Sequence, residues 1–197
     1  MQKVTDMLLA RMLRANTLVC CGLDPDVRKL SPPFLALAVS DEEKILRFLQ
    51  QVIDATAEHV CAYKAQKAFF DVLPGGHELL SEVITYLHLH HPGIPVIVDC
   101  KVGDIDNTMA MYVENVFGLL KADGIVVNPY MGDDVFGPLT EYPDKAVVVL
   151  VKTSNPNGAI VQDVLLQDGR PFWRYVLDLL VNPWNLASNM VPVMSSP

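Results

Sequence analysis

The chain has 197 residues, of which 51% are hydrophobic and 19% charged, and its formal net charge is −8. This length suffices for one well-packed domain, so residues 1–197 are interpreted as a single domain. The negative charge and the lack of a stretch rich in Lys and Arg argue against a nucleic-acid partner, because phosphate binding needs clustered cations. No apolar run is long enough to cross a bilayer, so we expect no membrane partner.

The alternation of strand-like and helix-like segments predicts an α/β fold. In chain order the pattern predicts a helix over 4–13, a strand over 17–23 and a helix from a Ser40–Glu43 capping box to about residue 58. It then predicts a strand over 60–66, a helix over 79–88, a strand over 95–100 and a helix over 108–121. The last predicted elements are strands over 124–128 and 146–152, a long loop over 155–170 and a strand over 190–194.

Cysteine usage and the N-terminus bear on the compartment. The four cysteines lie in apolar strand-like segments and are interpreted as buried free thiols, since no C-x-x-C spacing suggests zinc or redox chemistry. The first residues lack the long apolar core of a signal peptide. A reducing cytoplasm fits both features.

Two architectures are compatible with this alternation: an open doubly wound sheet and a (β/α)8 TIM-type barrel. Most of the predicted strands carry a polar or charged side chain at or near their C-terminal end, namely Asp24, Lys64, Asp99, Asn128 and Ser154. Chemistry collected at many strand ends is typical of the barrel, whereas an open sheet gathers ligands at one switch point. No G-x-G-x-x-G or P-loop motif follows the first strand. Six strands are predicted and a barrel needs eight in about 250 residues, so we expect an incomplete barrel that lacks its last two strand–helix units.

The segment 96–108 carries the strongest chemical signal. An apolar run is followed by Asp99, Lys101 and then Asp104. Because Asp99 and Lys101 are two apart, they point to the same side of a strand. Charges at the end of a buried strand are costly unless they pair, so this pattern predicts a charged site. The histidines His88, His90 and His91 close a predicted helix instead, where cations are favourable without a ligand, and we expect no metal site.

Four segments together resemble orotidine 5′-phosphate decarboxylases of the longer bacterial type. They are Cys-Gly-Leu-Asp-Pro-Asp (21–26), Ala-Tyr-Lys-Ala-Gln-Lys-Ala-Phe-Phe (62–70), Val-Asp-Cys-Lys-Val-Gly-Asp-Ile-Asp-Asn-Thr (98–108) and Val-Lys-Thr-Ser-Asn-Pro (151–156). The segment Asp-Gly-Ile-Val-Val-Asn-Pro-Tyr (123–130) supports them. The resemblance implies cofactor-free decarboxylation of orotidine 5′-phosphate to uridine 5′-phosphate in pyrimidine synthesis, by a homodimer with shared active sites.

The same resemblance implies a role for each matching residue. Asp24 would bond a ribose hydroxyl, Lys64 would touch the ribose within the charged array, and Asp99 would lie by the substrate carboxylate. Lys101 would donate a proton to C6, because nearby carboxylates favour its charged form. The partner's site would be reached by Asp104, Ile105 and Thr108. Ser154 would bond the pyrimidine edge.

The chain departs from the family at the phosphate site. The family's Gln-Gly-Gly loop and a later arginine are missing, and Arg170 and Arg174 precede the sixth strand and do not match. Impaired turnover by this chain is therefore expected, because phosphate binding supplies energy used at the reacting carbon. Two alternatives stay open. One is a non-catalytic barrel serving as a dimerisation module. The other, disfavoured by Lys64 in place of an acidic metal ligand, is a magnesium-dependent sugar-phosphate aldolase or decarboxylase.

Overall fold

The strands of the computed structural model, which describes residues 2–185 and 188–194, form one parallel sheet. They are β1 Cys20–Leu23, β2 Ala62–Gln66, β3 Val96–Val102, β4 Gly124–Val127, β5 Ala146–Lys152 and β6 Met190–Met194. Their spatial order is their chain order, and each neighbouring pair is parallel. A doubly wound sheet reverses its strand order at a switch point, so this order favours the predicted barrel topology.

Helices occupy most of the connections. They are α1 Val4–Ala15, α2 Pro32–Leu35, α3 Asp41–Thr56, α4 Lys67–Asp71, α5 Gly76–His90, α6 Asp106–Val113, α7 Ala159–Gln162 and α8 Phe172–Leu179. The N-terminus of α3 follows from its sequence, since Ser40 Oγ accepts a hydrogen bond from Glu43 N at 3.2 Å. The predicted capping box is only half formed, because Glu43 Oε1 accepts instead from Arg47 Nε at 2.6 Å.

The sheet buries apolar side chains on both of its faces. The main core lies between the sheet and the helices and includes Tyr63, Val98 and Ile125. A smaller cluster covers the other face, here called the inner face, and consists of Cys61, Ala62, Ile97, Val126 and Val148. This double burial explains why the strands are almost continuously apolar.

Helix α1 covers one end of the inner face. Leu8 and Met12 pack against the inner cluster. Arg11 donates hydrogen bonds to the carbonyls of Val60 and Ala57, which lie just before β2. The helix therefore lies at the N-terminal ends of the strands and leaves their C-terminal ends free for chemistry.

Two of the predicted segments need correction. The segment 155–170 is not one long loop, because it contains a 3₁₀ turn over Pro156–Gly158 and then α7. The helix predicted over 108–121 begins earlier, at Asp106, and continues after Val113 as a π-helical segment over Glu114–Leu119.

The cysteines are all free, as predicted, but only Cys61 is buried. Cys20 is exposed because it lies on β1, which pairs with a single neighbour, β2, within the described ranges. Strand β6 likewise pairs only with β5 there. Among the described residues the sheet therefore has two edges, whereas a closed barrel has none.

Candidate active site

Four polar side chains share the inner face at the C-terminal ends of β2 and β3. Because alternate strand residues point to opposite faces, Ala62 and Ile97 of the inner cluster fix the direction of the residues that follow them. Lys64 and Gln66 continue the row of Ala62, and Asp99 and Lys101 continue the row of Ile97. The β2–β3 register sets Gln66 opposite Asp99, so the predicted charged cluster forms at one place.

Asp99 is the centre of this cluster. Its carboxylate is 5% exposed and accepts a hydrogen bond from Lys64 Nζ on Oδ2 and from Lys101 Nζ on Oδ1, each at 2.6 Å. Gln66 Nε2 donates to Oδ2 at 3.3 Å. The two lysine side chains are 32% and 47% exposed, so a buried anion is held beneath two cations that solvent or a ligand can reach.

The electrostatics of Asp99 follow from two opposed effects. Burial by itself raises the pKa of the Asp99 carboxyl, but the hydrogen bonds and positive charges of Lys101 and Lys64 outweigh burial and bring the pKa below its usual value. The carboxylate is therefore ionised at neutral pH. A buried ion pair is weak support for stability, because desolvation offsets much of the attraction, so the arrangement is better explained by function.

The backbone at Lys101 is locally strained. Its φ is +50°, in the left-handed region that residues with a Cβ rarely adopt. The pairing of β3 with β4 shifts register between Val98 and Val102 at the same place. Such a conformation costs on the order of 1–3 kcal/mol and persists only where the surroundings fix it. The ion pair with Asp99 is one contact that holds Lys101 there.

The segment after β3 carries three predicted residues that the chain does not bring to Asp99. Asp104 is half-buried and its Oδ1 accepts a hydrogen bond from Ile105 N at 2.8 Å. Ile105 and Thr108 are exposed. Within residues 2–185 and 188–194, the structure gives Asp104 no ion pair with Lys64 or Lys101. These side chains are free to face another molecule.

A glycine allows this segment to pass β4. A Cβ at Gly103 would lie 2.3 Å from the carbonyl oxygen of Asn128, the residue that follows β4. Backbone therefore packs directly on backbone between the β3 and β4 ends, and only glycine fits this approach.

The two remaining predicted residues flank the cluster. Asp24 follows β1 and is exposed, and Gly22 of the same strand is paired with Lys64. Ser154 follows β5 and is also exposed. Both lie at the C-terminal edge of the sheet, as the sequence predicted, but each follows a strand that is separated from β3, the strand of Asp99, by one other strand.

Sequence reasoning missed Gln66 and the residues that hold the β5 loop. Gln66 stands two residues after Lys64, so strand periodicity could have identified it as a third donor to Asp99. Lys152 forms an ion pair with Asp163, and Gln162 binds Thr153. Those contacts depend on a short helix that was predicted as loop, so no sequence signal pointed to them.

Two properties of the described residues bear on the class of site. Among them, no group of three or more His, Cys, Asp and Glu side chains is arranged to hold a metal ion. His88 instead contacts Asp123 Oδ2 at 2.9 Å. No helix in the described part of the chain has the length and apolar character that a membrane span requires.

Residues 18–174 match the model of the orotidine 5′-phosphate decarboxylase / HUMPS family. The chain belongs to this family. It is 41% identical over 186 residues to the orotidine 5′-phosphate decarboxylase of Cupriavidus taiwanensis, covering 94% of this chain and 66% of that relative. The enzyme of Dechloromonas aromatica is 39% identical over 191 residues, covering 97% and 68%. The chain thus spans slightly less than two thirds of the length of the first of these relatives.

Solved structures show the same fold. Leishmania donovani OMP decarboxylase superposes with a TM-score of 0.85 at 34% identity, over 98% of this chain and 70% of that one. Leishmania donovani UMP synthase gives the same score and identity, over 40% of its longer chain. The predicted TIM-type barrel with six strands present is confirmed by this likeness and by the strand order.

Proposed function

We propose that this chain carries the charged array of an orotidine 5′-phosphate decarboxylase and serves the conversion of orotidine 5′-phosphate to uridine 5′-phosphate, without a cofactor. The observation that carries the proposal is the buried Asp99 carboxylate held between Lys64 and Lys101, both at 2.6 Å. Family membership indicates which reaction this geometry would serve.

The reaction requires charged groups of the protein that are already held in place. The bond between C6 and the carboxylate breaks, CO2 leaves, and the electron pair stays on C6 as a carbanion with little resonance relief. The ammonium of Lys101 stabilises that charge and then transfers a proton to C6, forming the C–H bond and leaving a neutral amine that solvent reprotonates. Because Asp99 fixes Lys101 before substrate arrives, little reorganisation is needed during the reaction.

Asp99 itself acts on the substrate carboxylate. An ionised and buried carboxylate beside the departing group raises the energy of the bound substrate, and this repulsion is relieved when neutral CO2 leaves. In this chain the low pKa of Asp99 keeps it charged, which the repulsion requires.

The other site residues are assigned to binding. Lys64 and Asp24 contact the ribose, and Ser154 contacts the pyrimidine edge. Asp104, Ile105 and Thr108 complete the site of a partner subunit in a homodimer. The exposure of Ile105 at 39% and of Met111 on α6 at 66% supports a contact surface next to this segment.

A magnesium-dependent sugar-phosphate enzyme fits the array less well. Lys64 Nζ lies 2.6 Å from Asp99 Oδ2, so an ammonium stands beside an oxygen that a cation would need. A divalent cation there would be repelled by Lys64 and by Lys101.

Turnover tests the proposal. The chain is compared with a chimera in which it is followed by the part of the Cupriavidus taiwanensis enzyme that it does not match, and uridine 5′-phosphate formation is measured for both. We expect turnover by the chimera, a loss of several orders of magnitude on Lys101→Ala in that chimera, and little turnover by the 197 residues alone, because remote phosphate binding is absent. A folded chimera without activity would refute the proposal and favour a non-catalytic dimerisation role. Equal rates for chain and chimera would refute the assignment of the phosphate site to the added part.

A further inference from the structure

The loop that carries Ser154 is closed at its base by two adjacent contacts. Gln162 Oε1 accepts a hydrogen bond from Thr153 N at 2.9 Å, and Gln162 Nε2 donates to Thr153 Oγ1 at 2.7 Å. Lys152, the residue before Thr153 at the end of β5, forms an ion pair with Asp163, the residue after Gln162. Residues 153–162 are thereby held as a compact loop.

The hydrogen-bond chain continues through both neighbours of Ser154. Thr153 Oγ1, which accepts from Gln162, donates to Asn155 Oδ1 at 2.7 Å. Gly158 is buried against this chain, since a Cβ there would lie 2.9 Å from Thr153 Oγ1 and 3.2 Å from Gln162 Oε1. Ser154 stands between two anchored residues with its own side chain exposed.

Core packing does not replace these bonds on the side facing β4. A cavity of about 350 Å³ lies there and is lined by Thr153, Gln162 and Asn128, among others. The side-chain bonds of Gln162 therefore restrain the loop at a place where packing is incomplete.

We infer that Gln162 is a positioning residue that fixes Ser154 for contact with the pyrimidine edge and so contributes to recognition of the base. The inference rests on the proposed function, because that function assigns Ser154 to the base. A loop that is already ordered loses less conformational entropy when a ligand binds. Gln162 should thus affect ligands that carry the base and leave ligands without it unaffected.

The test measures affinity by NMR titration of the 197-residue chain with uridine 5′-phosphate and with ribose 5-phosphate, which lacks the base. Gln162→Leu should weaken binding of uridine 5′-phosphate about three- to tenfold, the effect of losing a hydrogen bond, and leave that of ribose 5-phosphate unchanged. Gln162→Glu should lose less binding than Gln162→Leu, because a carboxylate still accepts from Thr153 N although it can no longer donate to Thr153 Oγ1. Gln167→Ala, at an exposed glutamine in the same connection, is the matched control and should bind both ligands as the unchanged chain does.

A double variant separates positioning from general stability. In a Ser154→Ala background, Gln162→Leu should add no further loss, because it acts through Ser154. If Gln162→Leu does not fold, Thr153→Val removes the Oγ1 part of this link and keeps the bond from Thr153 N to Gln162 Oε1, so it should give a smaller but still base-selective loss.

The outcomes distinguish the two claims. Equal weakening of both ligands, unchanged binding of uridine 5′-phosphate, or additive losses in the double variant would each overturn the positioning role while leaving the proposed function intact. Failure of the unchanged chain to bind uridine 5′-phosphate at all would overturn the inference together with the pyrimidine-site assignment on which it rests.

Discussion

Gln66 stands opposite Asp99 in the β2–β3 register, and its amide lies 3.3 Å from the same carboxylate oxygen that Lys64 contacts. Asp99 thus receives three donors from two adjacent strands. Two of those donors are cations that repel each other, so the carboxylate between them is what keeps them together.

Replacing the anion should destabilise the fold in a pH-dependent way. Asp99→Asn leaves Lys64 and Lys101 as close like charges, and we expect a loss of about 1–3 kcal/mol in the free energy of unfolding at neutral pH, less than for a fully buried pair because both lysines are partly exposed. The pKa of Asp99 is lowered on folding. Its stabilisation is therefore present above the unfolded value of about 4 and is lost as pH falls through the folded value.

Urea unfolding of Asp99→Asn and the unchanged chain over this pH range checks the sign. The stability difference between them should shrink as the solution is acidified below about pH 4. A difference that stays constant or grows on acidification would contradict the ion-paired state of Asp99.

Gly103→Ala should disrupt the C-terminal edge of the sheet. The added Cβ would lie 2.3 Å from the Asn128 carbonyl oxygen, so backbone must move, at a cost of about 1–3 kcal/mol or more. Gly137→Ala is the matched control, since its Cβ would be 3.6 Å from its nearest neighbour, the Asp134 carbonyl oxygen. Thermal unfolding of both variants measures the effect. Comparable melting temperatures for the two would show that the β3 and β4 ends are not in this close contact.

The proposed dimer predicts complementation between subunits. Asp104 makes no ion pair with Lys64 or Lys101 in the described parts of the chain, so its proposed partner is in another subunit. Mixing Lys101→Ala and Asp104→Ala versions of the chimera should bring the activity of the mixture to about one quarter of that of the chimera without substitutions. Random pairing makes half of the dimers hybrids, and each hybrid has one of its two sites intact. Native mass spectrometry verifies that hybrids form. Hybrids that form without recovering activity would show that each site is built within one chain.

Metal removal should leave turnover by the chimera unchanged. The charged array uses ammonium groups where a metal enzyme would place a cation, and Lys64 occupies one side of Asp99. Activity is compared before and after dialysis against excess chelator, and after adding magnesium. Loss on dialysis with recovery on magnesium would reverse this prediction and favour the sugar-phosphate alternative.

The sequence by itself determined the elements whose signal is local. Each of the six strands was predicted to within three residues at either end, because continuous apolar runs bounded by polar residues are typical of parallel strands. The residues after those runs, with Asp99 and Lys101 on one face, also followed from strand periodicity alone. The match of Lys64, Asp99, Lys101 and Ser154 to one family supplied a function that composition and spacing could not.

Tertiary structure decided what depends on register and on close contact between distant segments. The meeting of Lys64 and Gln66 with Asp99 required the β2–β3 register, which two separate apolar runs do not specify. The left-handed backbone at Lys101 arises where β3 changes its pairing with β4, and the presence of a lysine in the sequence does not predict it. The bonds of Gln162 to Thr153 join the last residue of the short helix α7 to the residue after β5. The propensity of so short a helix is too weak to predict, because it is stabilised by its surroundings rather than by its own sequence.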